Sequence, residues 1–255
     1  MAARTCDDVA DWHPPFAVGE TLKDAMVILT GVGLPGQVGE VVARTFAQRG
    51  SHVILVDRKE DAVRERAAAL TADGHVAHAF ACDLTDRKQV EHLAAQVGEI
   101  APDGLQAFVH LAGGYAEGGP VADLDPDTWH RLFAINLTTA FLTSRALISL
   151  LRKRRGALLF FGSAAALPGA SVKNSSAYAA AKGGVITLMR AIAAEEQGNS
   201  VRANALAPQA IRTVENEQSM GKDHRYVERQ TIADWAWWLC GEGAGPVTGQ
   251  VIRLG

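Results

Sequence analysis

Tyr178 and Lys182 stand four residues apart in Tyr-Ala-Ala-Ala-Lys, a stretch of strong helix formers. On a helix that offset puts both side chains on one face, close enough for the ammonium to favour phenolate over phenol. An isolated tyrosine keeps its proton until about pH 10, so a cationic neighbour is what would let it exchange protons near neutrality. Ser163 lies about fifteen residues upstream in Phe-Phe-Gly-Ser-Ala-Ala-Ala. It is a small residue at a strand end, and Ser171, Ser175 and Ser176 are nearer to Tyr178 in the chain. Asn136, in Ala-Ile-Asn-Leu, interrupts a helical pattern that asparagine disfavours, which points to a functional or buried hydrogen-bonding role.

A second group of residues suits a phosphate-bearing ligand. Gly31-Val-Gly33-Leu-Pro-Gly36-Gln-Val-Gly39 follows an apolar run and opens a helical pattern. Glycines there let the turn tighten and bring backbone N–H groups toward a pyrophosphate at a helix N-terminus, although the same spacing also serves as a plain strand-to-helix turn. No Gly-Lys-Ser/Thr ending follows, which argues against a nucleotide triphosphatase. Asp57 closes Val-Ile-Leu-Val-Asp, where a carboxylate accepts hydrogen bonds from an adenosine ribose. A 2′-phosphate would meet a like charge there, so Asp57 favours NAD, while Arg58 beside it would admit NADP. The alternative for Asp57 is a solvated turn or a cap before Lys59. Asp83, in Ala-Cys-Asp-Leu-Thr-Asp, either bonds near an adenine or caps the next helix.

The elements that must position these residues are legible as an alternation. Apolar, β-branched runs at Met26–Thr30, His52–Val56, Ala77–Ala81, Ala107–Leu111, Ala157–Phe161, Val201–Leu206 and Val251–Leu254 read as strands. Helical patterns near Val38–Arg49, Lys59–Ala72, Arg87–Val97, Pro126–Arg155, Ser175–Gln197 and Val227–Leu239 separate them. This predicts an α/β fold: a doubly wound, Rossmann-like parallel sheet of about seven strands, with helices on both faces and ligands beyond the carboxyl ends of the strands.

The chain of 255 residues shows no composition break, so one domain is expected over residues 25–255, preceded by an N-terminal arm over 1–24. Acidic residues number 28 against 25 basic, which gives no electrostatic case for nucleic acid or an anionic membrane. The basic run Arg152–Arg155 reads as a helix C-terminus capped by Gly156. Cys6, Cys82 and Cys240 are odd in number and widely spaced, with no metal-binding or redox pair, which fits a reduced, cytoplasmic setting. The first residues lack the apolar stretch of a secretory signal, and no run of about eighteen apolar residues predicts a membrane span.

Taken in order, Thr30-Gly31, Asp57, Asp83, Ala112-Gly113, Asn136, Ser163, Tyr178-x-x-x-Lys182 and Pro208–Thr213 resemble the short-chain dehydrogenase/reductase family from Ala25 onward. The resemblance implies an NAD(P)-dependent oxidoreductase that moves a hydride between nicotinamide and a carbonyl or alcohol, with NAD preferred and NADP admissible. It implies Tyr178 as general acid/base, Lys182 acidifying it and holding the nicotinamide ribose, Ser163 bonding the substrate oxygen, and Asn136 positioning a relay water. Its cofactor-binding set is Gly31, Gly33, Gly36, Val38, Gly39, Asp57, Arg58, Asp83, Leu84, Ala112, Gly113, Tyr178, Lys182, Pro208, Ile211 and Thr213, with Thr213 at the nicotinamide carboxamide. No metal is implied.

The chain departs from that pattern in places. The glycine turn is about two residues longer than usual, with Gln37 where a glycine is normal, His110-Leu-Ala-Gly113 replaces Asn-Asn-Ala-Gly, and Pro208-Gln209 replaces Pro-Gly. Only about fifteen residues separate Thr213 from the next helical segment, which predicts a shallow, open pocket. With Ala112–Gly119 reading Ala-Gly-Gly-Tyr-Ala-Glu-Gly-Gly, this is loosely similar to the dihydropteridine reductase branch and its flat substrate. Small residues around Lys182 and apolar ones on the preceding long helix predict pairing into a homodimer or homotetramer. Trp235, Trp237 and Trp238 read as packing. The competing function is a dinucleotide-sensing or scaffold protein on the same fold, with turnover lost.

Overall fold

The computed structural model describes residues 22–255. The predicted arm lies outside the described residues except for its end, where Leu22 is buried and its carbonyl accepts from Ser51 Oγ at 2.8 Å. Seven parallel strands form one sheet in the order β3-β2-β1-β4-β5-β6-β7. They are β1 (Met26–Thr30), β2 (His52–Asp57), β3 (Ala77–Ala81), β4 (Ala107–His110), β5 (Ala157–Phe161), β6 (Arg202–Pro208) and β7 (Val251–Leu254). The strand order reverses between β1 and β4, where a crevice opens at the carboxyl edge.

The strands are apolar throughout because each serves two cores. Val27, Leu29, Val53, Leu55, Val109 and Leu159 face one, shared with α1 (Val38–Gln48), α2 (Glu60–Ala72) and α8 (Arg229–Cys240). Their alternates Ile28, Ile54, Val56, Phe108, Leu158 and Phe160 face the other, against α3 (Arg87–Ile100), α5 (Thr139–Arg154) and α6 (Ser176–Glu195). The period-2 geometry of a strand divides one apolar run between two layers. Trp237 meets Phe46 edge-on at 5.1 Å in the first core, and Trp235 and Trp238 pack against that core, as expected for packing residues.

Several boundaries differ from expectation. The long helix predicted over 126–155 is α4 (Pro126–Phe133) and α5 joined by a π-turn at Ala134–Thr138. Taken as one, Pro126–Arg154 is long and apolar enough to span a membrane, contrary to the expectation of no such run. Here it lies against the sheet and α6, with Thr143 and Ser144 bonded back to their own helix. Arg155, not Gly156, takes the left-handed position that ends α5, at φ 52°. The cations before it have partners: Arg152 meets Glu196, Lys153 donates to Pro102 O, and Arg154 faces Asp103.

Candidate active site

The ends of β4 and β5 and the first turns of α6 bring Ser163, Tyr178 and Lys182 together. The Ser163 hydroxyl lies near enough to the Tyr178 phenol to favour its ionised form, and Lys182 Nζ lies 5.9 Å from the centre of the Tyr178 ring. Lys182 is buried, and its Nζ donates to Phe161 O at 2.8 Å, which fixes the ammonium beneath the loop that carries Ser163. Burial pushes the Lys182 ammonium down to about 8. Burial also raises the Tyr178 phenol, with the Ser163 bond opposing it and Tyr115 reinforcing it. Desolvation of the phenolate therefore outweighs the Ser163 contribution that favours it, a direction opposite to the acidification expected from spacing alone. Of the four serines, Ser163 is the one whose hydroxyl acts on the phenol.

Asn136 occupies the π-turn, a backbone irregularity that recurs at functional sites. Its amide nitrogen donates to Gly114 O and Leu132 O, both at 2.9 Å, and its Oδ1 accepts from Gly114 N at 3.2 Å. The asparagine disfavoured in a helix thus holds the loop after β4. Gly113 has room for no side chain, since a Cβ there would lie 2.5 Å from Asn136 Oδ1 and 3.3 Å from Lys182 Nζ. Tyr115, next along the loop, meets Tyr178 edge-on at 5.1 Å.

At the nucleotide side, Asp57 accepts from Gly33 N at 2.9 Å and Lys59 N at 3.1 Å, and a Cβ on Gly33 would collide with its carboxylate at 2.6 Å. Half-buried, it sits at the mouth of the glycine turn, and its bond to Lys59 N is also the turn contact of the alternative reading. Gln37 at the start of α1 makes no side-chain cap, so its side chain leaves the first-turn amides of a helix of 11 residues unoccupied. That geometry fits a dinucleotide pyrophosphate. Asp83 accepts from both the hydroxyl and the amide of Thr85, while Asp86 caps α3, so the capping alternative for Asp83 fails. Leu84 is buried beside it, Arg58 is exposed, and Ala112 N donates to Thr30 Oγ1 at 3.3 Å.

Pro208 ends β6, Ile211 bridges to Val227, and Thr213 caps α7 (Val214–Met220) by accepting from Asn216 N at 3.2 Å. A helix immediately after Thr213 replaces the predicted bare stretch, and the last helix begins at Arg229 rather than Val227. The signal was present: a threonine followed by Glu215 and Glu217 marks a helix start. Tyr226 OH donates toward the carbonyls of Asn216 and Gly221, and Gln37 Nε2 donates to Glu215 Oε2 at 2.5 Å, from the glycine turn to α7.

The enoyl-(acyl carrier protein) reductase profile matches residues 33–254, which is most of the chain. The chain belongs to the short-chain dehydrogenase/reductase family. This short-chain dehydrogenase/reductase is 34% identical over 204 residues to 2-(S)-hydroxypropyl-CoM dehydrogenase 3 of Xanthobacter autotrophicus, covering 79% of this chain and 78% of the relative. It is 38% identical over 231 residues to the inactive 2-(S)-hydroxypropyl-CoM dehydrogenase 2 of the same organism, covering 84% and 97%. A structure from Beutenbergia cavernae, with NADP bound at low occupancy, superposes with a TM-score of 0.81 at 27% identity, over 92% of this chain and 96% of that one. Membership makes the protein an NAD(P)-dependent oxidoreductase acting on alcohol and carbonyl groups.

Residues to which the sequence reading gave no role in the site also shape it. His110, 2% exposed, bonds Thr30 Oγ1 through Nδ1 at 3.0 Å and Thr139 Oγ1 through Nε2 at 3.3 Å. Burial, aided by the Lys182 charge, pushes its imidazole down to about 3, so it is neutral. Arg229 donates to Gly36 O, and Glu40 Oε2 accepts from Gly36 N at 2.6 Å, bracing the lengthened turn. The partnerships of His110 and Arg229 have no local signal, since they join residues distant in the chain, whereas Gly36 and Glu40 are only four apart.

Proposed function

We propose that the protein interconverts a ketone and a secondary alcohol, with Tyr178 giving the proton to the carbonyl oxygen in reduction and taking it back in oxidation. The nicotinamide, when bound, supplies or accepts the hydride. Every other part of the step belongs to the chain. Ser163 donates to the same substrate oxygen and aims the carbonyl carbon. In reduction the C=O π bond becomes C–O–H with the Tyr178 proton, and the phenolate left behind is neutralised by the charge of Lys182. Lys182 also reaches the nicotinamide ribose, and Asn136, through Gly114, holds the wall beside it. The observation that carries this reading is the convergence of the Ser163 hydroxyl, the Tyr178 phenol and a buried ammonium beyond the sheet edge.

Asp57, fixed against Gly33, supports NAD(H) over NADP(H). Titration is expected to show NADH binding more tightly than NADPH, with Asp57→Ala narrowing the gap; equal affinities in the parent protein would remove Asp57 from that role. Buried thiols at Cys82 and Cys240 support a reducing, cytoplasmic setting, and exposed Trp129 and Phe141 on α4 and α5 support pairing of subunits through those helices.

The sensing or scaffold alternative keeps one observation in its favour, the similarity to a relative named as inactive. Oxidation of NADH with a panel of ketones and quinonoid compounds, followed by absorbance, separates the two. Turnover that Tyr178→Phe lowers by about 100-fold or more supports the enzyme with the stated acid. Turnover that survives the substitution refutes Tyr178 as the acid, and NADH binding without any turnover favours the sensor.

A further inference from the structure

The structure assigns His110 the role of a positioning residue, locking the π-turn that carries Asn136 to the cofactor end of β1 through one directional chain of hydrogen bonds. The directions follow from the donors available. Thr139 Oγ1 spends its hydrogen on Ile135 O at 2.9 Å, so toward His110 it accepts. The proton of the neutral imidazole therefore sits on Nε2, and Nδ1 accepts. Thr30 Oγ1 already accepts from Ala112 N and so gives its hydrogen to Nδ1. The chain runs from the Ala112 amide through Thr30, His110 and Thr139 to Ile135 O with every donor and acceptor used once.

Its far end is the irregular turn. Thr139 N–H returns to Ala134 O, the π register, and the Thr139 hydroxyl covers the next carbonyl, Ile135 O. Asn136, one residue on, brackets Gly114, and Gly113 beside it touches the space of Lys182 Nζ. A shift of the π-turn would therefore move the loop after β4 against the proton-transfer residues. The near end, Thr30, immediately precedes Gly31 of the glycine turn.

This inference rests on the proposed reaction, and its test has one arm that does not. Asparagine at 110 reaches only as far as Nδ1 and abandons Thr139; glutamine extends an amide N–H toward the place of Nε2. His110→Asn and the isosteric Thr139→Val are expected to lower kcat by about 10- to 100-fold, the scale of a misplacement near 1 Å. The Kd for NADH should stay within about twofold, since residues of the cofactor turn are not replaced, and His110→Gln should recover most of the loss. A kcat for His110→Asn and Thr139→Val close to that of the parent, or a glutamine variant as impaired as asparagine, overturns the assignment. Should His110→Asn fail to fold, Thr139→Val carries the comparison. Amide exchange at Gly114, whose N–H is held by Asn136 Oδ1, needs no turnover. Faster exchange in His110→Asn with protection restored in His110→Gln supports the chain; identical exchange in all variants refutes it, even if the parent reduces none of the carbonyl compounds.

Discussion

Replacing Lys182 with methionine should stabilise the cofactor-free protein while abolishing its activity. Methionine keeps the unbranched apolar stem and removes the buried charge. The ammonium, pushed down from 10.5 to about 8 by burial, is disfavoured in the fold by about 2.5 × 1.36, or about 3.4 kcal/mol, wherever it is charged in both states. Part of this is offset in the variant, because the bond to Phe161 O is lost and that carbonyl is left without it, at about 1–2 kcal/mol. The expected net gain at pH 7 is thus about 1–2 kcal/mol. The sign with pH follows from proton binding: between about 8 and 10.5 the unfolded chain holds more protons than the folded one, so the parent gains stability as pH rises through that window. From pH 7 to pH 9.5 the advantage of Lys182→Met should shrink by about 2 kcal/mol. Denaturant unfolding at both pH values, at one protein concentration and without cofactor, measures it. A variant less stable than the parent at pH 7, or a difference that does not change with pH, would refute the claim that Lys182 is a desolvated charge kept at a cost in stability.

Two further outcomes follow from buried groups away from the proton transfer itself. His110, neutral in the fold and held down at about 3 against 6.5 unfolded, contributes stability that is present above about pH 6.5 and lost as pH falls toward 3. Going from pH 7 to pH 5 should therefore lower the unfolding free energy of the parent by about 2 kcal/mol more than that of His110→Asn, and equal acid sensitivity would contradict a buried neutral imidazole. Arg202, on β6, donates to the carbonyls of Leu239 at 2.7 Å, Cys240 at 3.2 Å and Gly241 at 3.0 Å, closing the C-terminus of α8. Arg202→Met should lose about 3 kcal/mol of unfolding free energy, since three helix-end carbonyls lose a charged donor at once; a loss under about 1 kcal/mol would show that water satisfies them.

The residues proposed for cofactor binding and proton transfer are legible by type and spacing because both proposed roles use local geometry. Tyr178 and Lys182 share a face by helical periodicity alone, and the glycine turn and Asp57 each sit at a strand end that the apolar runs mark. The strand succession likewise fixes a parallel sheet, since right-handed crossovers leave few other arrangements. The helix α7 was readable from its cap and acidic first turn, and the expectation of a bare loop there came from weighing length above capping.

What only the tertiary structure decided is how those residues are charged and held. Whether a lysine acidifies a tyrosine depends on how much water surrounds each, and burial of both raises the phenol and lowers the ammonium where spacing alone predicted an acidified phenol. The break of the long helix at Asn136 comes from bonds to Gly114 and from the prop of His110, partners 22 and 29 residues away along the chain from Asn136 and Thr139 respectively. Local sequence determines which conformations a segment prefers. The desolvation, the donors and the acceptors that set its chemistry come from whatever other segments the fold packs against it.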